Sequence, residues 1–341
     1  MSKIKINSKV ITNWWDYYLV KWGIKKNAPI FLKTKPDSLK FILDTNILYY
    51  RRSLVKLILR LVKENRLKFY RESNEMLIFN AAKLINKKLK LDIMAIETVE
   101  RLLNSHLSFE EFGQYLFIVD ILKDTKILIR KHIISDIGVA EETFINDEYS
   151  ILRPYLKDAV VLDIGAYIGD SGIKFALDGA KRVYSYEPHP ELYDLAMKNI
   201  KLNNLISKIT LKNFGVGDKR MNLTIKEDSY FGASSFFGIV NYQRCRNVEL
   251  KISLLSSIIH EIGYIDVMKM DCEGAEFTAI LFCPVESLRK IKIMLIEYHN
   301  EPESLINYLK KANFEVEIKK EAMVFNKKIG LLFAKLKEAD E

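Results

Sequence analysis

The sequence contains few cysteines and no long apolar run, and both absences narrow the classes of protein it could be. Its three cysteines, Cys245, Cys272 and Cys283, lack the spacing of a zinc site and cannot form a disulfide framework. No run approaches the ~18 consecutive apolar residues that indicate a membrane-spanning helix. Asp16 and several polar residues follow the lysines near the start, so we expect no signal peptide. We expect a cytoplasmic protein without a transmembrane segment.

The chain has ample material for hydrophobic cores. Its 341 residues, 49% apolar and 28% charged, are enough for two globular domains. We see neither internal repeats nor a low-complexity linker between them. We place one domain, basic and mostly helical, at 1–140, with a role in recognising a substrate or partner, and a second, α/β domain at 141–341.

The net charge of +9 is concentrated in the first quarter of the chain. Residues 1–90 contain 21 Lys and Arg against 6 Asp and Glu, whereas the remaining 251 residues contain 32 against 38. An excess this large indicates an anionic partner, such as RNA, a phosphorylated or sulfated glycan, or a lipid surface. The alternative is a solvated helical face that binds none of these.

Helical periodicity dominates the N-terminal region. The pattern predicts a helix over 8–22, a second over 36–65, a short hairpin over 67–80 and further helix to about residue 122. Ser108 and Glu111 have the spacing of a capping box at a helix start.

From residue 159 onward, apolar runs alternate with helical segments, which is typical of a parallel α/β sheet. The predicted strands cover 159–164, 182–186, 209–213, 265–270 and 292–298. Two further runs, 314–319 and 329–336, indicate a terminal antiparallel pair.

The segment 161–170, VLDIGAYIGD, is the most informative part of the chain. A strand ends in Asp163 and turns through Gly165 and Gly169 into a helix, and a second strand ends in Glu187, 22 residues past the first glycine. Glycines let a ligand approach the backbone, and an acid at the second strand tip suits two ribose hydroxyls. The spacing therefore predicts a nucleoside pocket.

The missing middle glycine indicates which nucleoside binds. A dinucleotide turn reads G-x-G-x-x-G, but Ala166 and Tyr167 follow Gly165 here. Carboxylates at Asp163 and Asp170 would repel a pyrophosphate and attract the ammonium and sulfonium groups of S-adenosylmethionine. We therefore predict S-adenosylmethionine as the cofactor and disfavour a dehydrogenase.

The end of the third strand completes the expected pocket. Gly215 and Val216 would leave room for the adenine, with Asp218 near its amino group, although a simple tight turn explains the glycine nearly as well. The predicted cofactor-binding residues are Asp163, Gly165, Ala166, Tyr167, Gly169, Asp170, Glu187, Pro188, Gly215, Val216 and Asp218.

A second polar group follows the buried strand in VMKMDCEGAEF. Asp271 and Glu273 lie at the carboxyl end of this strand, where open α/β sheets bind ligands. The next strand, IMLIEYH, carries Glu297 and His299 two residues apart and so on one side. The predicted catalytic residues are Lys269, Asp271, Glu273, Glu297 and His299.

Roles for these residues follow from their chemistry. We expect His299 to be the general base, because neutral imidazole is available near pH 7. Asp271 or Glu273 would orient it or take the proton instead, and Lys269 would hold the carboxylates in their charged form. A divalent metal bound by Asp271, Glu273 and His299 is chemically feasible, but we assign no metal. Glu276 has the position of a cap on the following helix.

Four segments in this order, VLDIGAYIGD, YSYEP, KMDCEGAEF and IEYH, resemble the FkbM-family methyltransferases over roughly residues 140–336. The K-x-D-x-E-G-x-E block is the most specific of them, and GASS at 232–235 is similar to a small-residue segment of that family. Residues 253–256, SLLS, depart from an acidic T-L-D-D-like segment in relatives. The resemblance implies a class I (Rossmann-like) methyltransferase sheet and S-adenosylmethionine-dependent O-methylation of a sugar hydroxyl or polyketide alcohol.

Two other functions stay open beside methyl transfer to a sugar, glycan or small alcohol. An RNA methyltransferase could grip phosphates with residues 1–90, although the sequence lacks an N/D-P-P-Y/F block for exocyclic amines and a known RNA-binding module. A non-catalytic binding protein on a methyltransferase fold is opposed by the intact acids and glycines at the cofactor positions.

Overall fold

The computed structural model describes nearly all of the α/β region and separate strands before it. The described residues are 27–33, 38–44, 67–70, 75–80, 85–90, 95–113, 116–228, 245–324 and 327–338. The chain divides into two compact units, the first comprising Met1–Asp120 and Ile129–Ile137, the second Ile121–Leu128 and Gly138–Glu341. Among the helices described, none is both long enough and apolar enough to cross a membrane.

The described part of the first unit is built largely from short antiparallel strands. Strand β1 (Asn27–Lys33) pairs with β2 (Ser38–Asp44). A three-stranded sheet comprises β3 (Leu67–Tyr70), β4 (Glu75–Asn80) and β5 (Ile85–Lys90). Helix α1 (Ile96–Asn104) and strand β6 (Ser108–Phe112) follow, and β6 pairs with β7 (Leu116–Leu122). The β3–β4 pair confirms the predicted hairpin.

Several of these strands lie where the periodicity predicts helix. Strand β2 falls inside 36–65, and β5, β6 and β7 fall in the stretch predicted to be helical up to residue 122. Ser108 and Glu111 therefore lie in a strand and not at a helix start. A mostly helical region is thus wrong for the described residues. The predicted helix over 8–22 and most of the second helix lie outside them.

Burial explains why β6 and β7 are strands. Phe117 and Val119 are buried while their neighbours are more exposed, which is the two-residue period of a strand. Phe109 of β6 packs edge to face on Phe117, with the ring centroids 5.2 Å apart. Cross-strand aromatic packing of this kind outweighs the weak helical pattern of the same residues.

Unit two follows the predicted order of strands and helices. After β8 (Thr125–Arg130), α2 (Ile134–Phe144) and a 3₁₀ helix (Glu148–Tyr155), the strands are β9 (Val160–Ile164), β10 (Arg182–Tyr186), β11 (Ile209–Lys212), β12 (Gly215–Gly217), β13 (Met221–Asp228), β14 (Cys245–Leu254), β15 (Ile265–Met270), β16 (Ile291–Tyr298), β17 (Phe314–Val324) and β18 (Lys327–Leu336). The helices are α3 (Asp170–Leu177), α4 (Pro190–Leu202), α5 (Leu255–Ile262), α6 (Glu276–Leu281), α7 (Val285–Leu288) and α8 (Glu303–Lys311).

Seven strands form the main sheet, in the order β11-β10-β9-β15-β16-β18-β17. The first five are parallel, and β18 and β17 are antiparallel, so the predicted class I (Rossmann-like) methyltransferase sheet with a terminal antiparallel pair is confirmed. Strand β9 is central, with Val161 opposite Val183 of β10 and Val267 of β15. A smaller sheet, β12-β14-β13, follows β11.

The core explains why polar residues gather at one edge. Strands β9, β15 and β16 are apolar and buried along most of their length, as expected when helices cover both faces of a parallel sheet. Asp266 and Lys292 pair with each other at the amino ends of β15 and β16, whereas the other polar residues stand near or just beyond the carboxyl ends. Because the strands are parallel, those ends meet at the same edge. The segment 232–235 lies outside the described residues.

Candidate active site

The turn after β9 touches the segment that follows β15. The Asp271 N–H donates to the Ile164 carbonyl oxygen (3.0 Å), and Lys269 Nζ donates to the Gly165 carbonyl oxygen (2.8 Å). Gly165 has φ +80°, and a Cβ placed on it would lie 1.6 Å from the Asp271 carbonyl oxygen. Glycine is therefore required here on both steric and conformational grounds. The two predicted groups of residues meet at this junction.

The remainder of the turn is equally constrained. Ala166 is buried, and its N–H donates to the Tyr186 carbonyl oxygen (3.0 Å). Gly169, at φ +86°, precedes the first residue of α3, and a Cβ on it would come within 3.2 Å of Ala196. These contacts hold the turn close to β10 and α4.

Asp163 supports the turn from within the core. It is fully buried, and its two oxygens accept hydrogen bonds from Ser171 Oγ (2.9 Å) and Ser185 Oγ (2.8 Å). Lys269 Nζ lies 3.7 Å from its Oδ1. Both oxygens are thus occupied by the protein, and a contact of Asp163 with the methionine end of a cofactor stays a prediction.

Asp170, the first residue of α3, is also buried. Thr143 Oγ1 of α2 donates to its Oδ2 at 2.6 Å. Burial raises the pKa of Asp170 to about 6, although the Thr143 hydrogen bond opposes that rise. The role of Thr143 could not be predicted from the sequence, because the stretch around it has a mixed pattern and no motif.

Glu187 is held in a fixed orientation at the tip of β10. Its Oε2 accepts the Tyr167 N–H (2.9 Å) and its Oε1 accepts the His189 N–H (2.8 Å). Burial raises the pKa of Glu187 to about 7, against the effect of these two hydrogen bonds. Asn213 Nδ2 donates to the carbonyl oxygens of Glu187 (2.8 Å) and Pro188 (2.9 Å), so the end of β11 is tied to the same corner.

The predicted adenine residues lie next to that corner. Gly215 and Val216 are buried in β12, and a Cβ on Gly215 would come within 3.2 Å of Pro188 and 3.0 Å of Ile252. Asp218 is exposed in the turn after β12. The structure therefore brings 215–218 to the Glu187 side of the sheet edge.

Lys269 connects the cofactor turn to the acidic residues. It is buried, and Asp163 and Asp271 flank it. Burial by itself would lower the pKa of Lys269, but the negative charge around it outweighs this effect and holds the ammonium group in its charged form. Its Nζ also lies 5.9 Å from the centre of the Tyr149 ring, in the 3₁₀ helix. Sequence reasoning missed Tyr149 because no motif marks that segment.

The predicted catalytic residues converge around His299. Its Nδ1 lies 3.3 Å from Glu276 Oε1, and its Nε2 lies 3.7 Å from Glu273 Oε2 and 3.8 Å from Glu297 Oε1. One ligand atom each from Asp271, Glu297 and His299 lie within 4.8 Å of one another. The structure thus brings together all the predicted catalytic residues of β15 and β16, and adds Glu276.

Glu276 does more than cap a helix. It is fully buried at the start of α6, and its Oε1 accepts the backbone N–H groups of Cys272 (2.9 Å) and Gly274 (3.1 Å). These bonds, together with His299, hold the pKa of Glu276 below its usual value despite its burial. The last acid of the K-x-D-x-E-G-x-E block is the sequence signal for this role.

The protonation of the cluster differs from the expected neutral imidazole. Burial lowers the pKa of His299, but Glu276, Glu273 and Asp271 outweigh it and raise the pKa to about 9. Burial and the charge of Asp271 raise the pKa of Glu297 to about 8. The surrounding carboxyl groups thus favour the protonated form of His299 over the expected neutral imidazole.

A cavity of about 540 Å³ opens beside this edge, next to α5. Its lining includes Tyr186 of β10, Phe214, and Ser253 and Ser257 near the start of α5. None of the predicted catalytic residues lines it. Ser253 belongs to the SLLS segment that departs from the T-L-D-D-like pattern.

Comparisons with known proteins find a family profile, a curated relative and solved structures that are similar to this chain. Residues 163–316 match the sequence profile of the methyltransferase FkbM domain. The AMB antimetabolite synthetase AmbE of Pseudomonas aeruginosa is 24% identical over 238 residues, which cover 54% of this chain and 11% of that protein. The chain therefore spans about a tenth of the length of this curated relative.

Two solved structures illustrate the similarity in fold. Methyltransferase FkbM from Methylobacillus flagellatus KT superposes with a TM-score of 0.37 and 20% identity, covering 52% of this chain and 43% of that one. A candidate tRNA (m1A22) methyltransferase of Streptococcus pneumoniae, solved in complex with S-adenosyl-L-methionine, has a TM-score of 0.37 and 14% identity, covering 57% and 74%.

Proposed function

Because residues 163–316 are a methyltransferase FkbM domain, we propose that the chain transfers a methyl group from S-adenosylmethionine to a hydroxyl acceptor, namely a sugar, glycan or small alcohol. One observation carries this proposal. A glycine turn and an oriented acid that suit a nucleoside lie directly against a cluster of carboxylates and a histidine that suits an acceptor hydroxyl.

The residues present fit S-adenosylmethionine. Glu187 keeps acceptor capacity on both oxygens beyond its two backbone hydrogen bonds, so two adjacent ribose hydroxyls can donate to it. The absence of a Cβ at Gly165 lets this turn lie directly against the Asp271 carbonyl oxygen, which brings the predicted cofactor turn next to the acidic residues. When bound, S-adenosylmethionine supplies a sulfonium methyl group that is transferred with its bonding electron pair left on sulfur.

The chain's own task is to position the acceptor oxygen and to take its proton. Positioning the reacting atoms near 3 Å accounts for much of the rate of a transfer in line. Glu273 is the carboxylate best suited to accept the proton, because 63% of its side chain is exposed and it lies beside His299. Glu276, fully buried and bonded to the backbone, is a support instead.

The basic residues 1–90 favour an acceptor with anionic groups, such as a phosphorylated glycan, and keep RNA as the second candidate. RNA affinity that falls steeply with salt, together with methyl transfer to RNA, would favour the second candidate.

Isothermal titration calorimetry tests the proposed cofactor. We expect S-adenosylmethionine to bind the full-length protein and NAD not to bind. The Glu187→Gln variant should bind S-adenosylmethionine at least tenfold more weakly, because an amide presents one acceptor oxygen in place of two. The Glu191→Gln variant, at an exposed acid on α4, is the control and should bind as wild type does. Wild-type protein that binds neither compound would contradict the proposal.

A further inference from the structure

The carboxylates of the catalytic cluster outnumber its cations. Asp271, Glu273, Glu276 and Glu297 surround His299, whereas the ammonium group of Lys269 is shared with Asp163 and bonded to a backbone carbonyl. Carboxylates withdrawn from water in proteins are usually paired with a cation or coordinate a metal. The cluster thus gathers four carboxyl groups around one imidazole, which is a set of groups that can coordinate a cation.

We propose that Asp271, Glu297 and His299 bind a divalent cation. One ligand atom from each residue lies within 4.8 Å of the other two. Carboxylate oxygens and imidazole nitrogens bind such ions at about 2.0–2.3 Å, so two ligands of one ion are at most about 4.6 Å apart. The three side chains are therefore almost at coordination distance before any ion binds. The sequence made Asp271, Glu273 and His299 a feasible ligand set, and in this proposal Glu297 takes the place of Glu273.

A buried carboxylate behind the histidine supports this assignment independently. Metal-ligating histidines usually present their second ring nitrogen to a carboxylate, which fixes the ring and its tautomer. Glu276 Oε1 lies 3.3 Å from His299 Nδ1, on the opposite side of the ring from Nε2 and its neighbour Glu297. Glu276 is fully buried, and among the described residues its Oε2 has no hydrogen-bond partner. A carboxylate at this distance can accept the Nδ1 proton of a histidine whose Nε2 binds a metal, and so fix the orientation of the ring.

The ligand set indicates which cation binds. Two carboxylates and one imidazole, with no thiolate, suit Mn²⁺ or Mg²⁺ better than soft metals. Three protein ligands leave open positions for the acceptor oxygen and water. This role rests on the proposed function, whereas binding of the ion does not.

An ion held by Asp271, Glu297 and His299 would supply a Lewis acid that stabilises negative charge on the acceptor oxygen. The hydroxyl proton passes to Glu273, whose Oε2 lies 3.7 Å from His299 Nε2. The oxygen–carbon bond forms as the carbon–sulfur bond of the cofactor breaks, and the electron pair of that bond stays on sulfur. The products are a methyl ether, S-adenosylhomocysteine and one proton on the carboxylate.

Mn²⁺ alone is the probe for this site. Electron paramagnetic resonance of free Mn²⁺, titrated with the full-length protein, measures binding without an acceptor. We expect one Mn²⁺ per chain with saturable affinity, at least tenfold weaker in Glu297→Gln and His299→Gln, and tenfold to 100-fold weaker in Glu276→Gln. Glu301→Gln removes an exposed carboxylate that pairs with Lys328 and should leave Mn²⁺ affinity unchanged.

The outcomes separate this proposal from the proposed function. Each variant is first checked by far-UV circular dichroism and by S-adenosylmethionine binding in EDTA. Wild-type protein that binds S-adenosylmethionine but shows no saturable Mn²⁺ binding would overturn the metal site alone. Mn²⁺ binding that is equal in wild type and Glu297→Gln would also overturn it. Mn²⁺ binding without S-adenosylmethionine binding would overturn the proposed function and leave the metal site standing.

Discussion

Replacing Gly165 with alanine tests the junction between the predicted cofactor turn and the predicted catalytic cluster. The new Cβ would lie 1.6 Å from the Asp271 carbonyl oxygen, about 1.4 Å short of the 3.0 Å below which real Cβ contacts essentially never fall. The neighbouring atom is backbone, so no side-chain rotation relieves the clash. The tips of β9 and β15 must separate, although Asp271 N–H and the Ile164 carbonyl hold them together at 3.0 Å.

The expected loss of stability has two parts. A residue with a Cβ at positive φ costs about 1–2 kcal/mol, and overpacking a rigid site costs about 1–3 kcal/mol more. Gly263→Ala is the matched control, because Gly263 also has positive φ (+88°) but a Cβ added there would meet nothing within 4 Å. We expect a loss of about 2–5 kcal/mol for Gly165→Ala and about 1–2 kcal/mol for the control.

Urea unfolding followed by far-UV circular dichroism measures these losses. Tryptophan fluorescence is unsuitable because Trp14, Trp15 and Trp22 all precede the second unit in the sequence. Gly165→Ala should also bind S-adenosylmethionine more than about tenfold more weakly, which corresponds to more than about 1.4 kcal/mol. Equal stability losses in the two variants, with wild-type cofactor affinity in Gly165→Ala, would refute the close approach.

Three further predictions concern buried polar groups. The pKa of Glu187 is raised to about 7, and ribose hydroxyls favour its ionised form. S-adenosylmethionine should therefore bind progressively more weakly as pH falls below 7 and with constant affinity above it. Calorimetry from pH 5.5 to 8.5 that shows no such trend would contradict the ribose contact. Lys269→Met leaves its buried acidic neighbours without their cation and should lower the free energy of urea unfolding by about 3–5 kcal/mol, whereas a loss under 1 kcal/mol would show that they are solvated. Thr143→Val removes the hydrogen bond to Asp170 and should lower the free energy of unfolding by about 1–3 kcal/mol. Thr98→Val changes a buried hydroxyl without a hydrogen-bond partner among the described residues, and it should leave the free energy of unfolding unchanged. Equal losses of stability in thermal unfolding would refute the distinction.

The α/β sheet could be predicted from sequence because its strands are buried on both faces. Continuous apolar runs such as those of β9 and β15 have few competing structures, and each ends near a polar residue that marks the sheet edge. Spacing alone therefore placed Asp163, Glu187, Asp271 and His299 near one edge. The sheet matches the class I layout that the resemblance implies. Alternating strands and helices alone indicate a parallel sheet and not the order of its strands.

What the sequence did not predict depends on contacts between distant residues. The strands around Phe109 and Phe117 are stabilised by cross-strand packing that a local helical period cannot show. Thr143 reaches Asp170 from a segment without a motif. The charge of His299 depends on carboxylates of α6 and β16 whose proximity exists only in the fold. Local sequence patterns determine the helices and strands, whereas the protonation state of His299 depends on how those helices and strands pack together.

The backbone contact between Gly165 and Asp271 has a consequence for anyone who wishes to redesign the protein. The loop that would bind the cofactor and the loop that would select the acceptor are joined by this close backbone contact. Neither loop can therefore be exchanged without affecting the other. A library that varies 271–274 to change acceptor preference will also sample changes in cofactor affinity. Selection for a new acceptor should therefore recover paired changes in the turn after β9 and in 271–274, with Gly165 itself unaltered.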